Sequence, residues 1–205
     1  MNQTAAFIER LGNDRLFGAG ERAMLRALAG RGLDESLPGF DLFTGLWWPL
    51  RKESQAAPRR EVAWLIAKVY AAFPLPQVDG DRHELPVILG RCEPRDEHDG
   101  PRLRRRFRRR FDALLCSPLA QLEPHLHWAL SVVRSQLVAS RAAGLDWVKL
   151  TDHLSIWDRG PEHHVKRDVH DLWAEQYLKA IYPPNRGDSY VDRNSHDPEP
   201  QPVES

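Results

Sequence analysis

The sequence predicts an all-α protein of two small helical bundles followed by a disordered C-terminal tail. Three observations predict it. Apolar residues recur at three- and four-residue spacing through most of the chain, which is the helical period. Prolines and glycines stand at the ends of those stretches, where helices start and stop. No run of alternating β-branched residues is present, and no hairpin between such runs.

The elements follow in order. Thr4 to Leu11 is a short first helix. Gly20 to Gly30 is a second, with Met24, Leu25 and Leu28 inward and Arg22 and Arg26 one turn apart on another face. Pro38 opens a third, because proline's missing N–H costs little in a first turn. Phe40, Phe43 and Trp47 are its expected buried side, and Pro49 is expected to end it. Pro58 opens a fourth helix carrying Val62, Leu65, Ile66, Val69 and Phe73. Pro74 to Glu84 reads as a loop, and Pro86 to Arg91 as one or two helical turns.

A polar connector, Arg95 to Gly100, leads to Pro101 and an arginine-rich helix. Ser117 and Pro118 read as an N-cap and first helical residue. Leu119, Leu122, Leu126, Leu130, Val133 and Leu137 trace the next stripe. Pro124 predicts a short helix running into a longer one. Gly144 suits a C-cap. Asp146 caps a helix with Trp147, Leu150, Leu154 and Trp157. Pro161 opens the last, with Val165, Val169, Leu172, Trp173, Tyr177 and Ile181. The connectors divide the chain into an N-terminal lobe (1–92), a C-terminal lobe with the arginine helix (93–182) and a tail (183–205).

The tail is set apart by composition. It holds five prolines and five acids (Asp188, Asp192, Asp197, Glu199, Glu204) against two bases, Arg186 and Arg193. Its charge of −3 leaves +3 on the rest of a formally neutral chain. With almost no apolar residues it cannot bury a core. Cys92 and Cys116 are the only cysteines and form no disulfide framework or metal-ligand spacing. No signal peptide and no apolar run of membrane-spanning length is found. The expectation is a cytoplasmic protein without membrane contact.

Chemistry-bearing patterns are sparse. The chain has nine histidines. His163, His164 and His170 share one predicted helix with Asp171, and His125 and His127 share another. His-Asp pairs occur at His98, His170 and His196. HExxH, CxxC and a glycine-rich phosphate loop are all absent. Solvated histidines, with no metal or other cofactor, are the favoured reading. Cys116 ends the arginine helix without a histidine base beside it, so a catalytic thiol is not expected. The tryptophans mostly lie on apolar faces and read as core; Trp48 is the expected exposed one.

The arginine run is the sharpest feature. Seven arginines fall between Arg102 and Arg110: Arg102, Arg104, Arg105, Arg106, Arg108, Arg109 and Arg110. Leu103, Phe107, Phe111 and Leu114 recur through it at helical spacing and are expected to point inward. The nearest acids in sequence, Asp99 and Asp112, lie outside the run, so i,i+4 pairing cannot neutralise it. Arginine can grip phosphate oxygens with two parallel hydrogen bonds. Few Asn or Gln companions are present to read base edges. Sequence-independent contact with a nucleic-acid backbone is therefore expected, with some arginines holding protein instead. The rival reading is a helical adaptor whose arginine face docks an acidic protein.

Four segments resemble a known family in their order and spacing. They are GERAMLRALAG (Gly20–Gly30), LPGFDLF (Leu37–Phe43), RRRFRRRFDALL (Arg104–Leu115) and GLDWVKLTDHLSIW (Gly144–Trp157). Together they resemble the small subunit of the type I-E CRISPR surveillance complex, Cascade, the CasB family. The resemblance implies two all-α bundles without catalytic activity. It implies two copies packed head to tail beside the backbone and large subunits of a complex built on a CRISPR RNA. It further implies a role in stabilising the R-loop formed with target DNA. On this resemblance Arg22, Arg26, the seven arginines from Arg102 to Arg110, Arg134, Arg141 and Lys149 are candidate phosphate contacts. The acidic tail and His163 and His164 lie outside the family pattern.

Overall fold

The computed structural model describes residues 2–35, 37–54, 57–95, 100–140, 144–158 and 168–183. Nine α-helices make up the fold among them, and no strand is longer than a single bridge between Gln77 and Leu145. The all-α expectation holds. The predicted tail beyond Pro183, the Pro161 helix start and Arg141 lie outside the described residues.

Helix α1 (Gln3–Gly12) starts at Asn2, whose side chain accepts from the Thr4 N–H at 3.0 Å, and it buries Phe7, Ile8 and Leu11. In α2 (Ala19–Ala27) the first turn is closed by Glu21, whose carboxylate accepts from the Gly18 N–H at 3.0 Å. Leu25 and Leu28 are buried as expected, and Met24 is half-buried. Helix α4 (Arg60–Ala72) is the core element, buried continuously from Val62 to Ala71. Its apolar residues lie all round the helix, so other elements cover it on every side.

Helix α3 (Leu37–Glu53) departs from expectation. It runs through Pro49 instead of stopping there. A proline inside a helix costs about 3 kcal/mol. Leu46 and Leu50 flank it on the buried face, both 4% exposed, and full burial of two leucines returns about 3–6 kcal/mol. The burial outweighs the break. Phe40 is also corrected: it is 40% exposed, while Phe43 is buried and stacks on Trp47 with centroids 5.5 Å apart.

Helix α5 (Leu85–Arg91) has Pro86 in its first turn. Helix α6 (Gly100–Leu115) is the arginine helix. A single turn of 3-10 helix (Leu119–Gln121) then precedes α7 (Glu123–Ser140), the short-then-long pattern that Pro124 predicted. Ser117 does not cap it. Its hydroxyl donates back to the Ala113 carbonyl at 2.6 Å, and the Leu119 N–H is taken by the Asp158 carboxylate at 3.2 Å. Helix α8 (Trp147–Ser155) is capped by Asp146, which accepts from the Lys149 N–H at 2.9 Å. Helix α9 (Val169–Ile181) is capped by Asp168, which accepts from the His170 N–H at 2.8 Å.

Packing follows two groups. Helix α3 packs on α1, α2 on α4, and α8 on both α1 and α4. Helix α5 packs closely along α9 and on α7, and α6 packs on α7 and α9. Contact between α4 and α7 joins the groups, and one continuous core of buried side chains runs through both. A clasp of loop backbone reinforces the join. Leu145 N–H donates to the Pro76 carbonyl at 3.0 Å, and Val78 N–H donates to the Leu145 carbonyl at 3.1 Å. Gly144 sits there at φ +145°, and any Cβ would strike the Pro76 carbonyl oxygen.

Candidate nucleic-acid interface

The arginine helix is seated by aromatic contacts along one side. Phe111 stacks on Tyr177 of α9, with centroids 4.0 Å apart and planes at 15°. Phe107 meets Trp128 of α7 edge-on at 5.2 Å, and Leu114 is fully buried. Burial falls along the stripe: Phe111 is buried, Phe107 half-buried, and Leu103 47% exposed. Leu103 was expected inward and is not. The stripe continues one turn past the neighbours that cover it, which leaves the Leu103 side chain in solvent.

The expectation that this arginine run lacks an acidic partner is corrected by Glu93. Its side chain is 3% exposed. It accepts two hydrogen bonds from Arg108, Nε at 3.0 Å and NH2 at 2.8 Å, in the bidentate geometry that suits guanidinium and carboxylate. Arg104, one turn earlier, lies 3.5 Å from the same carboxylate and donates to the Pro94 carbonyl at 3.3 Å. The Tyr177 hydroxyl donates to Oε2 of Glu93, the oxygen that also accepts from Nε of Arg108. Hydrogen bonding to Glu93 pushes the Arg108 guanidinium pKa up. Burial, and then the bond to Glu93, pushes the Tyr177 phenol up. One buried carboxylate thus fastens an edge of α6 to α9.

Five arginines remain on the outer face. Arg102, Arg105, Arg106, Arg109 and Arg110 are exposed and make no ion pair with a described acid. The Arg110 guanidinium also lies 5.8 Å from the Trp128 ring centre, which holds it partly in place. Guanidinium groups presented this way meet phosphate oxygens without reading bases.

The other candidates are not gathered onto this face in the same manner. Arg22 is turned inward: its side chain is 18% exposed, paired with Asp14 at 2.6 Å. Arg26 is exposed on α2, which packs on α4 and α3. Arg134 is exposed on α7. Lys149 is exposed on α8, where its charge acts on Glu84 and Asp152. Burial raises both of those carboxyls, and Lys149 works against it.

Other chemistry is easily placed. No group of three or more His, Cys, Asp or Glu that could hold a metal occurs among the described residues. His163 and His164 lie outside those residues. Burial pushes the Cys92 thiol up to about 11, so it is a poor nucleophile at neutral pH. Trp147, Trp157 and Trp173 are fully buried, and Trp48 is 51% exposed, both as expected. A cavity of about 470 Å³ beside Trp64 and Lys68 is lined by four bases and four acids, so its charge favours neither sign of ligand. No described helix is long and apolar enough to cross a membrane.

Sequence reasoning missed Glu93 and Tyr177. Glu93 is separated from Arg104 by a polar connector, and no periodicity links them. The helical spacing places Tyr177 in the core of the last helix, where it lies, but its hydroxyl also completes the carboxylate site.

Fold and site together define a helical protein with an arginine-faced surface helix. The sequence model of the CRISPR-associated protein Cse2 family matches residues 21–178, a span that takes in the arginine helix and nearly all of the four resembling segments. The chain belongs to that family and is a subunit of a CRISPR Cascade complex. No curated protein matches it.

Proposed function

We propose that this chain is a non-catalytic Cascade subunit that grips nucleic-acid backbone through the outer face of α6. In this role it stabilises the R-loop between CRISPR RNA and target DNA. The reading rests on one observation: five arginines stay exposed on a helix whose other arginines are committed to Glu93. R-loop formation is a near-balanced exchange of base pairs, so modest backbone contacts tip it. The partners are CRISPR RNA, target DNA, a second copy of the chain, and the backbone and large subunits of the complex, in the cytoplasm. Arg26 and Arg134 are available to extend the contact; Arg22 would first have to leave Asp14.

The test is the full chain with Arg102, Arg105, Arg106 and Arg109 replaced by alanine. Arg104 and Arg108 are left in place because their loss would unseat α6. Four phosphate contacts predict about a 10²-fold loss of DNA affinity for a fourfold rise in salt, and the variant's dependence is expected to be much shallower, carried by the basic residues that remain. R-loop lifetime in the assembled complex is expected to shorten in parallel. An unchanged lifetime would place the contact elsewhere. Complex assembly that survives nuclease and needs no RNA, with the variant failing to assemble, would favour the acidic-protein adaptor instead.

A further inference from the structure

We infer that the acidic C-terminal segment, residues 183–205, docks on the exposed arginines of α6 in its own molecule and competes with nucleic acid for them. The inference rests on the proposed role of that face. Its first support is where the segment departs. Helix α9 ends at Ile181, and the hydroxyl of Tyr182 lies 3.5 Å from NH2 of Arg108. Ile181 and Tyr182 share a shallow depression with Glu93, Arg95 and Arg104. The segment therefore leaves the body beside the arginine helix.

Charge is the second support. Five acids against two bases follow Tyr182, in a chain whose densest positive surface is α6. Reach is the third. An extended chain spans about 3.3–3.6 Å per residue, so the six residues to Asp188 cover about 20 Å. A helix of 16 residues is about 24 Å long. Asp188 and Asp192 can reach any exposed arginine on it, and the later acids can as well. The family match ends at residue 178, so the segment lies outside what the family shares.

Tethering sets the strength. A short connection gives an effective concentration in the millimolar range without any specific contact. Exposed ion pairs are individually weak and screened by salt. The segment is thus a displaceable competitor: a strand held by several phosphates expels it, and a short or poorly placed one does not. Its effect is to raise the threshold for non-specific binding.

Two full-length variants with equal charge change test this. One carries D188N, D192N and D197N; the other carries E9Q, D41N and E53Q, at exposed acids on α1 and α3. Side-chain Nε–H resonances of Arg105, Arg106 and Arg109 are compared without nucleic acid, at several protein concentrations. Affinity for single-stranded DNA is measured at low salt. The expected result is a shift of those resonances in the first variant alone, independent of concentration, with about 10-fold tighter DNA binding than the second. Equal tightening in both variants overturns the inference, because net charge alone then explains it. So does the absence of a resonance shift, or a shift that grows with protein concentration. A shift with no DNA binding in any form leaves the contact standing and removes the proposed function.

Discussion

At the residue scale, Glu93 decides what the arginine run is available to do. A buried carboxylate is tolerable only when its charge and lone pairs are met, and here Arg108, Arg104 and Tyr177 meet them. The exchange is mutual: the arginine edge of α6 is held down, and the outer face is left free. Removing one partner of a buried ion pair costs about 3–5 kcal/mol, since the group left behind is uncompensated. Glu93→Ala strands the Tyr177 hydroxyl in the core, whereas Arg104 and Arg108 can still turn to water. A loss near the lower end, about 3 kcal/mol, is therefore expected in urea unfolding of the full chain. Tyr177→Phe leaves the carboxylate with both arginines and is expected to cost about 2 kcal/mol, the size of a hydrogen bond to a charged group. A Glu93→Ala variant as stable as the parent would show that the pair does not fasten the helix.

At the element scale, the α5–α9 contact carries the arginine helix, because α9 supplies both Tyr177 and the floor beneath Phe111. Gly90 lets the two helices approach. A Cβ at Gly90 would lie 2.5 Å from the Tyr177 carbonyl oxygen and 2.8 Å from Cβ of Ala180. Both are backbone-anchored atoms that cannot swing aside. Gly90→Ala is expected to destabilise the fold by about 1–3 kcal/mol, the usual cost of overpacking, despite alanine's better helix propensity. A gain in thermal midpoint would overturn this. Such a contact explains why legibility stops where it does. The helices could be read because apolar spacing and proline punctuation are local, and α4 and α8 follow them; α9 keeps the apolar spacing but is capped at Asp168 and starts at Val169, so it does not run unbroken from Pro161. The run through Pro49, the exposed Leu103 and the Glu93 pairing could not. Each depends on which neighbour covers a face, and that neighbour lies far along the chain. The arginine run itself was legible as a site, since seven like charges need no partner to be noticed; which of them remain free was not.

At the scale of the whole molecule, the two helix groups are tied at several points, and one of them is sensitive to acid. The Nδ1 of His153 in α8 accepts a hydrogen bond from the Trp173 indole N–H in α9 at 3.0 Å. The ring is neutral in that bond, with its proton on Nε2. Burial, and then the charge of Lys149, push the His153 pKa down to about 4, with Asp146 pulling weakly the other way. In the unfolded chain the ring titrates near its ordinary value of about 6.5. Between these values the unfolded state binds a proton that the folded state refuses, so stability rises with pH across the window. Read downward, stability is lost from about pH 6.5 to about pH 4, and His153 adds no further loss below that. The displacement corresponds to on the order of 3 kcal/mol. His153→Gln keeps an acceptor for Trp173 and removes the titration. The variant is expected to lose less stability than the parent between pH 6.5 and pH 4, with the two running parallel from pH 7 to pH 8. Urea midpoints across that range measure it. Parallel curves through the acid window would mean that the join between α8 and α9 is held by packing of Trp157 and Trp173, whose rings meet edge-on at 4.8 Å, and not by the imidazole.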